Sequence, residues 1–466
     1  MWLSNGDCKR IHDSALQVLE EVGVRVDDPE ITRLLLDAGG VAPRGNRFRI
    51  PRDLVFRALR QCPKSVHIAD RGGKLTELGP RGGALFLTGN ALYVTRGHTR
   101  AELGSADLAE LARVVDACRN INGMVGTSIA DVPPGCRDFV GFRIMAENTR
   151  KHLRPCIYTP SGARLVMEMA TILLDGTPLR EQPIVSTGFS ILSPLHWSAL
   201  ALGVFKETAG LGVPVMINSE PLAGATAPVT LAGCLVIGDA DVLSGLVVNQ
   251  LLEPGRPCFY NIGFAHVIDM ASAIALTGSP ENALLQAAGA TMAKFHGLPC
   301  ASWMSTEAMI ADQQAAFEKM MMGTAHVLAG VNFIWGAGNL ESTLALSPEA
   351  LVTDDEIAGY CLRLQRGFEV EESTLALDVI RAAAPSGDFL TADHTLENYR
   401  EVLSRPLLAT RTRREEWLSR GGHTFGEAAE QRVRQILAKP ADPCLDARQL
   451  AELKRIEACG MKALAG

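Results

Sequence analysis

The run VPVMINSE, residues 213–220, is a proline followed by three apolar residues and then by Asn218, Ser219 and Glu220. Proline cannot donate to a sheet ladder, so it is tolerated at the first residue of a strand. An unbroken apolar run suits a parallel strand covered on both faces. The same reading applies to RPCIYTP (154–160), QPIVSTGFS (182–190), RPCFYNIG (256–263) and LPCASWMS (298–305). GMVGTSIAD (123–131) and GVNFIWGAG (330–338) fit it without the proline. Helical patterns over 161–175, 196–210, 280–296 and 312–329 lie between these runs. Seven strand–helix units, with an eighth expected around 340–370, predict an α/β fold of the (β/α)8 TIM-barrel type. The competing doubly wound sheet would want a glycine-rich phosphate loop after an early strand, and the chain has none.

The ends read differently. Residues 1–105 are expected to form an N-terminal helical extension with a hairpin over 84–96, turning at Gly89-Asn90. The barrel is expected over 106–390 and a C-terminal helical cap over 391–466. The chain has 466 residues, 47% hydrophobic and 21% charged, with a formal net charge of −7. That balance argues against a nucleic-acid binder, which needs a basic face. Eleven cysteines stand singly with no CxxC pair, which reads as a reduced, cytoplasmic protein. Neither a signal-peptide pattern nor an uninterrupted apolar run of about 18 residues is present, so no membrane association is expected. A homo-oligomer is expected for a barrel of this size.

Barrel active sites lie at the C-terminal ends of the strands. Aromatics make up only 5% of the chain, yet four of these ends carry Tyr or Trp. Aromatic faces beside a carboxylate hold quaternary ammonium groups by cation–π attraction; filling of the barrel layers is the plainer alternative. The histidines fall at unrelated spacings, so no bound metal is expected, with a zinc site built from distant strands left open. His326 in its apolar helix reads as a satisfied core residue, and Met320, Met321 and Met322 as gap-filling core.

Several longer stretches carry a resemblance. HDSALQVLEEVGVRV (12–26), SADLAELARVVDA (105–117), APVTLAGCLVIGDADVLSGLVVNQLLEPGRPCFY (227–260), GSPENALLQAAGATMAKFHGLPC (278–300), LAGVNFIWGAGNLES (328–342) and HTLENYREVL (394–403) together resemble the trimethylamine methyltransferase family. They span nearly the whole chain in the family's order. The resemblance implies a (β/α)8 barrel that passes a methyl group from an amine to cob(I)alamin, giving methylcobalamin, on a separate small corrinoid protein. Trimethylamine enzymes of the family carry pyrrolysine in a segment similar to Asp312-Gln313-Gln314-Ala315-Ala316-Phe317-Glu318. Its position falls on Gln314, so the chain resembles the non-pyrrolysine branch, which implies a quaternary amine such as glycine betaine. A tertiary amine must leave as an amide anion unless activated, whereas a quaternary ammonium leaves as a neutral amine. Holding the cation in line is then most of the work.

On this reading Gln314, Glu318 and Glu220 are the candidate catalytic residues, with Glu220 or Glu318 as counter-charge. Tyr93, Tyr260, Phe264, Trp303 and Trp335 are candidate cage walls. Asn218, His266 and Gln314 could bind a substrate carboxylate, and His394 could lie over the mouth. A zinc-dependent methyltransferase on a similar barrel and a non-catalytic betaine-binding protein stay open as alternatives.

Overall fold

A computed structural model describes residues 2–464 apart from Gly45, Asn46, Arg81 and Ser386. Eight parallel strands form one sheet: β1 (Leu85–Thr88), β2 (Ile121–Val125), β3 (His152–Arg154), β4 (Thr187–Ser190), β5 (Val215–Asn218), β6 (Cys258–Gly263), β7 (Cys300–Trp303) and β8 (Phe333–Ala337). Sequence neighbours pair with one another except β3 with β4, and β8 pairs with β1. Between β3 and β4 the ring is closed by a bridge from Leu153 to Val185, with Leu153 N 3.0 Å from Ile184 O. One helix follows each strand: α1 (Ser105–Ala117), α2 (Arg137–Asn148), α3 (Pro160–Ile172), α4 (Ala199–Glu207), α5 (Leu231–Leu252), α6 (Pro280–Phe295), α7 (Gln313–Ala329) and α8 (Pro348–Arg366). The fold is the expected (β/α)8 barrel.

Local chemistry sets the helix starts. Thr159, Ser279 and Ser347 each precede a proline and accept a backbone N–H three residues on, at Gly162, Asn282 and Ala350. That pairs a capping hydroxyl with the residue best suited to the first helical position. α5 is long and apolar enough to cross a membrane, but 72% of its most apolar window is buried in the barrel wall. Met322 is core, with Met320 and Met321 packed against it.

Four expectations are corrected. The segment around 340–370 supplies α8 and a two-residue strand, Ala345–Leu346, outside the barrel sheet, but no barrel strand. The eighth strand is β1, expected as one arm of a hairpin over 84–96; it pairs in parallel with β2 and β8. Four residues ending at Gly89-Asn90 look like a hairpin arm because nothing local distinguishes the two. The true hairpin joins Tyr93–Arg96 to Thr99–Glu102. Pro155 follows β3 instead of opening it.

The N-terminal extension is not purely helical. The antiparallel hairpin Val66–Ala69 with Leu75–Leu78 closes the barrel floor, where Val66, Ile68 and Leu78 pack with Leu85, Leu87, Phe259 and Phe333 from the strands. Asn332 ties the following loop in place, its amide donating to the carbonyls of Gly79, Gly82 and Gly83. The C-terminal helices do not roof the mouth. Phe425–Ala438 packs on α1 and α8, and Ala447–Leu464 on α2 and α3, both on the side wall. No described residue between Leu362 and Ala428 is buried.

A buried ion pair fixes the top of the wall. Lys319 of α7 donates to Asp354 of α8 at 2.5 Å, and Asp354 also accepts from Gly338 N at 2.6 Å. Both side chains are 1% exposed. Desolvation pulls the Lys319 pKa down and pushes that of Asp354 up. Removing one partner strands the other's charge, at a cost of about 3–5 kcal/mol. Lys319→Met should therefore lower the unfolding free energy by about that much in denaturant titrations, and Lys319→Met/Asp354→Leu should recover most of it.

Candidate active site at the barrel mouth

The pleat of each strand decides which side chains reach the mouth. On β5, Met216 points into the barrel and Val215 and Ile217 out, so Asn218 faces inward at the strand end. On β7, Ala301 and Trp303 point in. A cavity of about 340 Å³ opens there, lined by Arg154, Cys156, Tyr158, Ser190, Asn218, Glu220, Phe264, His266 and Trp303, among others.

One wall is aromatic. The rings of Phe264 and Trp303 lie 5.0 Å apart, and Phe264 stacks on Trp335 at 4.8 Å. The opposite wall is polar. Ser190 Oγ donates to Glu220 Oε1 at 2.6 Å, and Asn218 Nδ2 lies 3.4 Å from the same hydroxyl. Asn261 Nδ2 donates to Asn218 Oδ1 at 2.7 Å and so orients that amide. Glu220 is open to the cavity but walled by protein on its other sides, and that desolvation raises its pKa. The Ser190 hydroxyl and the charge of Arg154 oppose the rise. Burial lowers the pKa of His266, which keeps it neutral near pH 7; its Nδ1 lies 3.4 Å from Asn282 Oδ1. Arg154, at the end of β3, lays its guanidinium 4.1 Å from the centroid of the Trp335 ring. Burial lowers its pKa to about 10, so it stays cationic.

Of the expected site residues, Glu220, Asn218, Phe264, His266 and Trp303 come together in this cavity. The others do not. Tyr260 points outward from β6, fully buried, and donates to Asp239 Oδ1 at 2.6 Å; it cannot be a cage wall because the pleat turns it into the helix layer. Trp335 points inward but has no exposed surface, with Arg154 and Phe264 packed against it. Tyr93 sits outside the cavity, with the Arg100 guanidinium 4.3 Å from its ring centroid. Glu318 binds the β7–α7 loop, accepting from Thr306 Oγ1 and from Glu307 N at 3.2 Å. Gln314 is exposed and donates to Glu318 Oε1 at 3.0 Å. The helix of His394, Asp393–Val402, is held by Arg363 and Arg366 at the end of α8, which donate to Val402 O and Glu401 O. His394 does not line the cavity.

Arg154 and Cys156 were missed because they flank Pro155, read as the start of a strand rather than its end. His326, as expected, is core: its Nε2 meets Gln286 Oε1 at 2.9 Å and Ser302 Oγ at 3.1 Å. Among the described residues one group has metal-ligating geometry, His12, Asp239 and His296, with ligand atoms within 4.8 Å of one another. It lies on the outer side of β6 beside Tyr260, not in the mouth.

A barrel with a mixed aromatic and charged mouth at its strand ends is the architecture of a barrel enzyme with an open active site. The model of the trimethylamine methyltransferase (MTTB) family matches residues 1–458, and the chain belongs to that family. It is a methyltransferase. A glycine betaine methyltransferase from Desulfitobacterium hafniense (strain Y51) is 31% identical over 97% of this chain and 95% of its own. A trimethylamine methyltransferase from Methanosarcina barkeri (strain Fusaro / DSM 804) is 30% identical over 99% and 95%. Among solved structures, the monomethylamine methyltransferase of Methanosarcina barkeri superposes with a TM-score of 0.55, covering 92% of this chain and 87% of that one. At 11% identity it speaks for the fold alone.

The raised pKa of Glu220 means that it takes up a proton at a higher pH than an exposed glutamate. Ser190→Ala removes the hydrogen bond that opposes the rise, so titration should move to still higher pH. The carboxyl resonance of Glu220 in ¹³C-glutamate-labelled protein, assigned by its loss in Glu220→Gln, would report the shift.

Proposed function

We propose that the protein moves a methyl group from a quaternary amine, glycine betaine or a related betaine, to cob(I)alamin carried by a separate corrinoid protein. The methyl acceptor enters as a second substrate. The observation that carries this reading is the joining of Phe264, Trp303 and Glu220 in one open cavity at the strand ends. Ring faces and a carboxylate are the groups that hold a quaternary ammonium. The likeness to a glycine betaine methyltransferase over nearly the full length of both chains supports the same substrate class.

The chain's own residues then do mostly positional work. Phe264 and Trp303 offer apolar ring surface to the methyl groups, and Glu220 offsets the positive charge. The amine leaves as a neutral molecule, so no acid is needed at the nitrogen. Proximity and alignment of the methyl carbon supply the rate gain. Gln314 stands where the resemblance places pyrrolysine, and its amide is engaged with Glu318. With no reactive side chain there to activate a tertiary amine, a donor that already carries its positive charge is the consistent substrate.

Anaerobic methylation of cob(I)alamin, followed by absorbance, tests the proposal against glycine betaine, proline betaine, carnitine, γ-butyrobetaine, choline and trimethylamine. Turnover with a quaternary amine and none with trimethylamine is expected; turnover with trimethylamine would overturn the reading of Gln314. In the same assay Glu220→Gln should lower kcat/KM about 10- to 100-fold, the loss of roughly 1.4–2.8 kcal/mol of charge complementarity in a partly desolvated site.

A further inference from the structure

Arg154 is the charged group of the mouth that an ammonium cage does not explain. Its side chain is almost fully buried at 8% exposure, and its Nε is buried with no hydrogen-bond partner among the described residues. A buried guanidinium without an acceptor is costly, and an anion that reaches its donors removes the cost. Trp335 offers a ring face but no acceptor. Glu220 attracts it through space, but that carboxylate is bonded to Ser190 instead.

The seat of the guanidinium is built for it. A Cβ at Gly188 would collide with Arg154 Nη2 and stand 3.2 Å from Asn218 Nδ2. Glycine on β4 thus leaves room for two donors at one side of the cavity. The mouth is bipolar, with a positive group at Arg154 and a negative one at Glu220 lining a single space. A bare cation meets repulsion from Arg154; a small zwitterion satisfies both poles.

We propose that Arg154, assisted by Asn218, binds the carboxylate of the methyl donor and restricts that donor to betaines, discriminating against choline, tetramethylammonium and trimethylamine. Arg–carboxylate pairing is short, charge-assisted and directional, which suits it to this selection. The proposal rests on the preceding reading in taking the donor's other end to be a quaternary ammonium. Arg154 acts on specificity and orientation, fixing one end of the molecule so that a methyl group faces outward.

The test is equilibrium binding followed by intrinsic tryptophan fluorescence, which needs no methyl acceptor. Wild-type protein should bind glycine betaine at least about 30-fold more tightly than choline or tetramethylammonium. Arg154→Met should abolish that ratio by weakening betaine alone, and should raise the melting temperature of the ligand-free protein by removing an unpaired buried charge. Arg154→Lys should restore part of the preference. Gly188→Ala, which pushes the guanidinium out of its seat, should act like Arg154→Met and provides a second route should that variant misfold. Equal binding of choline and betaine to the wild type, no binding of betaine at all, or an unchanged ratio in Arg154→Met would overturn the proposal. Turnover assays on the same proteins separate the two readings. An Arg154-dependent preference without methyl transfer to cob(I)alamin defeats the methyltransfer reading and keeps the carboxylate site. Methyl transfer with an Arg154-independent preference does the reverse.

Discussion

Each barrel strand can send a side chain to one of two places, the interior or the helix layer, and the pleat leaves no third choice. That alternation governs the whole molecule. On β6 it turns Cys258, Tyr260 and Ile262 outward and Phe259 inward. On β8 it sends Ile334 out and Phe333 and Trp335 in, until a bulge between Ile334 and Ala337 breaks the alternation and turns Ala337 outward. The interior cluster then runs from the floor hairpin at Val66–Leu78 up to Phe264 and Trp303 as one packed column. The active mouth is the place where this column stops being sealed.

The mouth combines two demands that pull apart. Aromatic packing wants a dry, apolar column, while binding a small charged molecule wants fixed charges at its top. The chain meets both by stacking. The Arg154 guanidinium lies on Trp335, Trp335 on Phe264, and Phe264 against Trp303, so a cation is built into an aromatic column rather than set beside it. Glu220 stands across the cavity, oriented by Ser190 and opened to water. Such an arrangement gives up stability in the ligand-free state for complementarity to a charged ligand, a pattern typical of functional sites.

Much of this was legible in the residues. The parallel strands β5, β6 and β7 announce themselves by a proline and an apolar run, and helices α3, α4, α6 and α7 fall close to their expected positions. Five of the expected site residues do meet in one cavity, because the rule that strand ends form the site needs only strand positions. Failures came where local pattern is ambiguous. β1 is four residues beside a turn-forming pair, and only its pairing with β2 and β8 makes it a barrel strand. Tyr260 stands in the right strand, but an error of one residue in register changes its face. Arg154 was hidden because Pro155 follows β3, while other prolines precede their strands.

The sequence by itself determined the class of fold, since strand and helix periodicity and turn chemistry are local properties repeated along the chain; the family it disclosed by resemblance of whole stretches, not by periodicity. It also determined that glutamine stands at position 314, and with it the kind of chemistry that residue cannot supply. Only the tertiary structure decided which side chains share the mouth. Arg154, Ser190, Glu220, Phe264 and Trp303 come from five different strand ends or loops, and their distances depend on barrel closure and pleat register. Those are long-range constraints, set by how all eight strands pack at once, and no single stretch of sequence carries them.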